Sequence, residues 1–223
     1  FKILDSILIM PANLLSGNYQ KKCIKGSKFL SSLDQDWNSL VSSVGPCKLN
    51  LSIELEPYQA LIKSVIFQQL RPASATAIFN RFKQNFDNNF PTEEKILASP
   101  ESKLKESGLS FNKRKTIIEI ARHVQKGELE NRQDFLMMND SQIIEKLTKI
   151  KGIGEWTAQM LMIFNLGKLD VFPAGDFALR KNYSLFKSIA SPLTMRELSK
   201  ISEEWKPFRS IAAWYLWQYE LKY

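Results

Sequence analysis

The chain has 223 residues, 44% hydrophobic and 24% charged, enough to bury a core as one globular unit or two small packed lobes. Thirty-one Lys and Arg against twenty-three Asp and Glu leave a net charge of +8, which favours a polyanionic partner such as nucleic acid or an anionic membrane surface, although a soluble basic surface also accounts for it. With Cys23 and Cys47 as the only cysteines, a disulfide framework, a zinc-ligand cluster and a four-cysteine iron–sulfur site are excluded, and a reducing compartment is expected.

Residues 1–36 are the least regular. The apolar opening from Ile3 to Leu15 is broken by Asp5, Pro11 and Asn13 and makes a poor signal peptide, and Gly17 to Gly26 reads as loop or a short strand pair. No apolar run approaches the roughly 18–20 residues that span a bilayer, so no membrane is expected as partner. After Pro57 the period turns helical: Leu61, Ile62, Val65, Ile66 and Leu70 mark one amphipathic helix, and Ala75, Ile78, Phe79, Phe82 and Phe86 the next. Pro91-Thr92 turns into a short helix with Thr92 as its N-cap, and Gly108 stops another. Ile117, Ile118, Ala121 and Val124 predict a helix closed near Gly127, and Asn139-Asp140-Ser141 caps one bearing Ile143, Ile144 and Leu147. With strand signals scarce, the pattern predicts an all-α protein of roughly ten short helices.

Between a helix ending near Ile150 and one starting near Glu155 lies Gly152-Ile153-Gly154. Two glycines permit a tight turn with positive φ and unobstructed backbone N–H groups. Placed at a helix N-terminus, those amides can hold a phosphate oxygen, or share it with a bound monovalent cation. Lys146, Lys149 and Lys151 add positive charge on the approach side, while Ile153 can plug the space between the helices. Taken alone, such a pair of glycines also serves as an ordinary helix–helix turn.

The run from Leu147 through Lys151-Gly152-Ile153-Gly154-Glu155-Trp156 to Ala158 resembles the hairpin of the helix-hairpin-helix DNA glycosylases, and within them the 3-methyladenine DNA glycosylase II family. The resemblance continues through Asp170 to Asp176, Trp205 to Ser210, and Leu216-Trp217, and upstream includes Gln68-Gln69, Pro91-Thr92, Gly108-Leu109-Ser110 and Lys113. It implies two helical lobes flanking a DNA-binding cleft. Residues 57–170 would form a central lobe ending in the hairpin, residues 37–56 and 171–223 a terminal lobe, and residues 1–36 an N-terminal extension.

Breaking an N-glycosidic bond passes through an oxocarbenium-like state, so a carboxylate beside C1′ is the expected catalyst. Asp176 matches the superfamily's motif aspartate, and it is equally placed to N-cap the helix starting at Phe177; the two roles are compatible. Asp170 reads as structural. Members that also cut the strand carry a lysine nucleophile where Trp156 stands here, which implies base removal without lyase activity. The target base must be flipped out; the resemblance puts the wedge at Gln69 with Leu70 beside it, although Leu70 also suits an ordinary core. Trp217, Trp156 and Met160 map to the base pocket, where an indole face would attract a cationic alkylated purine. Lys149, Arg180 and Arg209 are candidates for phosphate contact, with a structural bond the preferred reading for Arg209-Ser210; Lys113, Arg114 and Lys115 could touch phosphate or lie on a solvated face. His123 reads as a surface residue, and Trp205, Trp214 and Tyr215 as core.

The expected protein is thus a monomeric, cofactor-free glycosylase acting on 3-methyladenine and 7-methylguanine in double-stranded DNA, without a catalytic metal. It would be cytoplasmic in a bacterium and nuclear in a eukaryote. Uracil, hypoxanthine or ethenoadenine as the target, or a non-catalytic DNA-binding hairpin module, are the alternatives.

Overall fold

The computed structural model describes residues 12–70 and 72–219. Among the described residues there are thirteen α-helices, one 3₁₀ turn and no strand. They cluster into two compact units: residues 52–166, and residues up to Leu51 together with those from Gly167 onward.

The middle unit holds α3 (Pro57–Phe67), α4 (Pro72–Gln84), α5 (Glu93–Ala98), α6 (Glu101–Glu106), α7 (Phe111–Gln125), α8 (Arg132–Met137), α9 (Asp140–Thr148) and α10 (Glu155–Phe164). Its centre is α3, which packs on α4, α7 and α10. Pro57 at the first helical position and a reciprocal Glu56–Gln59 capping box start α3, and Leu61, Ile62, Val65 and Ile66 are fully buried. Leu70 lies beyond the end of that helix and is 37% exposed, so it is not a core residue. Thr92, Ser110 and Asn139 each cap the helix that follows by accepting an amide bond. Along α7 the buried face is Thr116, Ile117, Ile120 and Ala121, one position off the expected stripe, which leaves Ile118 and Val124 half-buried.

The terminal unit comprises α1 (Ala12–Ser31), α2 (Gln35–Val44), α11 (Phe177–Phe186), α12 (Met195–Ile201), the 3₁₀ turn Ser202–Trp205 and α13 (Arg209–Tyr219). The expectation of loop or strands from Gly17 to Gly26 is overturned, since both glycines sit inside α1, which packs on α2 and α13. Gly26 is required by closeness, not by a turn: a Cβ there would lie 2.2 Å from Ile211 Cδ1 and 3.0 Å from Phe208 Cδ1. Trp205 is buried in an aromatic cluster with Trp37, Phe172 and Tyr183. Tyr215 is buried with its hydroxyl 2.8 Å from both the Ser27 hydroxyl and the Gly45 carbonyl, and Trp214 stacks edge-on against its ring. Burial pushes the Tyr215 phenol up to about 12.

Candidate nucleic-acid interface and active site

The hairpin between α9 and α10 is closed by Ile153 N–H donating to the Ile150 carbonyl at 2.9 Å, with Ile150 and Ile153 both buried. Its two glycines do different jobs. Gly152 has φ +94, and a Cβ there would fall 1.9 Å from the Thr116 hydroxyl oxygen of α7, so neither the backbone nor the space admits a side chain. Gly154 has φ −96, which any residue adopts, and a Cβ there would meet nothing within 4 Å. Packing does not explain Gly154. Its backbone caps α10 on an open face, where amides and the helix dipole suit an anion that must come close.

The turn after α3 lies in the same unit. Gln69 is exposed with φ +53, a costly conformation for a residue with a side chain, and Leu70 beside it is exposed too. Gln68 is tied down: its amide donates to the Thr157 hydroxyl of α10 at 2.9 Å.

Trp156 and Met160, one turn apart on α10, line one cavity of roughly 270 Å³ with Leu55, Lys63, Phe67 and Phe164. One wall, the segment 52–55, is held by side chains. Asn165 donates to the carbonyls of Ser52 and Leu55 at 2.9 and 2.7 Å, and the Arg132 guanidinium donates to those of Ile53, Leu55 and Asn165. Burial lowers the pKa of that guanidinium from its ordinary value.

Asp176 stands in the terminal unit as N-cap of α11, its Oδ1 accepting the Leu179 amide at 3.1 Å. The loop leading to it is anchored to the start of α13. Arg209 makes a two-pronged bond to the Asp170 carboxylate, Nε to Oδ1 at 2.8 Å and Nη2 to Oδ2 at 3.1 Å, and also reaches the Asp170 carbonyl. The Ser210 hydroxyl sits within 3.0 Å of the Lys168 carbonyl and of both backbone groups of Val171. Trp217, partly buried, lies on α13, whose Leu216 carbonyl accepts from Asn182 of α11 at 2.9 Å. The helix that Asp176 caps and the helix bearing Trp217 are therefore bonded together.

Residues 62–207 match the family model of the HhH-GPD superfamily base excision DNA repair proteins. The chain belongs to that superfamily. It is 40% identical over 196 residues to DNA-3-methyladenine glycosylase 1 of Schizosaccharomyces pombe, covering 87% of this chain and 86% of the relative. It is 37% identical to the alkylbase DNA glycosidase-like protein mag2 of the same yeast, covering 87% and 92%. The structure of the S. pombe 3-methyladenine DNA glycosylase Mag1 in complex with abasic DNA superposes with a TM-score of 0.83 at 39% identity, over 87% of this chain and 95% of that one.

Within this HhH-GPD fold the predicted residues divide by unit. The middle unit carries the hairpin, the Gln69–Leu70 turn, Trp156 and Met160; the terminal unit carries Asp176, Trp217, Arg180 and Arg209. Of the three candidate phosphate contacts, Lys149 is exposed and pairs with Glu145 one turn back at 3.1 Å. Arg180 lies over the Phe177 ring and donates to the Leu193 carbonyl at 3.3 Å. Arg209 is committed to Asp170 and Glu203, which makes it a fastener of the Asp176 loop. Arg114 is bonded to Glu101 and the Leu109 carbonyl, and His123 pairs with Glu128. Lys113 follows neither expectation; its ammonium is turned inward onto backbone carbonyls.

Sequence reasoning missed Lys63, Phe67 and Phe164 as pocket residues, because their helical spacing matches ordinary core packing. Phe177, directly after Asp176, is 61% exposed. Among the described residues no three His, Cys, Asp or Glu side chains cluster as a metal site would need, and no helix is long and apolar enough to cross a membrane.

Proposed function

We propose that the chain is a monofunctional DNA glycosylase that hydrolyses the N-glycosidic bond of alkylated purines in duplex DNA, starting base-excision repair. The observation that carries this reading is Asp176, fixed by its cap bond at the N-terminus of α11 at the end of a loop fastened by Arg209 and Ser210. As the bond between C1′ and the base breaks, the electron pair leaves with the base and positive charge develops on the sugar. A fixed carboxylate stabilises that charge and orients the water that attacks C1′, accepting its proton.

Base recognition falls to the aromatic groups. Trp156, in the cavity with Met160, presents an indole that attracts a cationic ring by about 0.5–2 kcal/mol, and the family resemblance assigns the same role to Trp217. Alkylation that places positive charge on the purine also makes the base a better leaving group, so selectivity rests partly on the bond itself. Trp156 cannot form a Schiff base, which leaves the abasic strand uncut. The hairpin backbone at Gly152–Gly154 grips phosphate and the Gln69–Leu70 turn fills the gap left by the flipped nucleotide. The kinship with S. pombe Mag1, whose structure holds abasic DNA, supports this assignment of partner and product.

The test is incubation with methylated duplex DNA and chromatography of the released bases. Free 3-methyladenine and 7-methylguanine are expected, with strands that break only after heat or alkali. Binding without base release would leave a non-catalytic hairpin module, release only of uracil, hypoxanthine or ethenoadenine would change the substrate, and prompt strand cleavage would overturn the monofunctional assignment.

A further inference from the structure

Lys113 occupies a place that does not suit a lysine. It sits in the first turn of α7, where the helix dipole disfavours a cation, and burial pulls its pKa below the ordinary lysine value. What compensates is a pair of short bonds: Nζ donates to the carbonyls of Ile66 at 2.8 Å and Gln68 at 2.9 Å. These are carbonyls at the C-terminal end of α3, the groups a helix leaves without intrahelical partners. The next residue is Gln69, at φ +53, followed by exposed Leu70. One turn further along α7, Thr116 lies against Gly152 of the hairpin. A single helix thus props both turns, through an ammonium under one and a hydroxyl under the other, and the Gln68–Thr157 bond ties the first turn to the helix that follows the hairpin.

We infer that Lys113 is a positioning residue for the base-flipping turn: it holds the end of α3 so that Gln69 and Leu70 stand at a set distance from the phosphate-gripping hairpin. The inference rests on the assignment of that turn as the wedge. Two of the three ammonium N–H groups are spent on Ile66 and Gln68, so a phosphate is not their partner.

The test uses the full chain, K113M and K113R, and two duplexes, one with 7-methylguanine paired to cytosine and one with it opposite a tetrahydrofuran abasic analogue, where flipping meets little resistance. Under single turnover, K113M should slow release from the paired duplex by about 10-fold or more, the scale of losing charge-assisted hydrogen bonds, and by less than about threefold from the unpaired one. K113R, which keeps cationic donors, should lose less than K113M on the paired duplex. Equal slowing on both duplexes, or none, overturns the inference, whatever happens to the melting temperature. A 2-aminopurine beside the lesion reports unstacking independently of chemistry. If the parent chain releases no base, the glycosylase reading fails, and K113M must then lose the fluorescence rise at saturating protein while still binding. An unchanged rise, or no rise with the parent chain, overturns the positioning role.

Discussion

The hairpin at residues 150–154 and the loop from Lys168 to Asp176 both deliver the chain to the first turn of a helix, yet they are built in opposite ways. In the hairpin the side chains of Ile150 and Ile153 turn inward, and what faces outward is the backbone of two glycines with the exposed Lys151 beside them. In the loop the bonds from Arg209 and Ser210 fasten the backbone, and what is offered is one side chain, the Asp176 carboxylate. Function made of backbone is damaged by disturbing its shape or by crowding its approach. Function made of one side chain can be deleted with the shape intact.

Asp176→Asn is the sharpest probe of that contrast. Asn caps helices as well as Asp, so the melting temperature and DNA affinity should stay near those of the parent chain, while single-turnover base release falls at least about 100-fold. Undiminished release would mean that Asp176 is only a cap. Gly152→Ala should behave in the reverse sense: the strained φ and the clash with Thr116 should cost about 1–3 kcal/mol of stability, read by denaturant unfolding, and weaken DNA binding about 10-fold. Asp170→Asn loosens the loop without touching the hairpin. Its expected signature is base release slowed about fivefold at unchanged DNA affinity, the scale of weakening one partly exposed charge-assisted pair. Gly154→Ala is the mildest, with no change in melting temperature and DNA affinity reduced about threefold, since the added methyl meets no protein atom but stands where a phosphate would approach. A large loss of stability there would show that Gly154 serves the fold.

The same division explains what could be read before the structure. Hydrophobic period and caps locate helices through local physics, so α3, α5 and α9 are visible in Pro57, Thr92 and Asn139, and α7 in its apolar stripe closed near Gly127. The glycines of α1 mislead because Gly26 answers to Ile211, far along the chain, and not to its neighbours. The short helix α8 is capped by Asn131 but too brief for its period to show, and its Arg132 works entirely through distant carbonyls. The resemblance supplies Asp176 and the hairpin; it cannot tell that Arg209 faces Asp170 or that Lys113 turns inward, because each choice is settled by which acceptors the fold brings near.

The cap bond of Asp176 carries a consequence for heredity. The position accepts either Asp or Asn on folding grounds, so protein-quality control would be blind to the exchange. Such a variant would accumulate to normal levels and still occupy damaged sites. In a cell also holding the active form it would shield lesions from it, turning a silent loss of activity into interference.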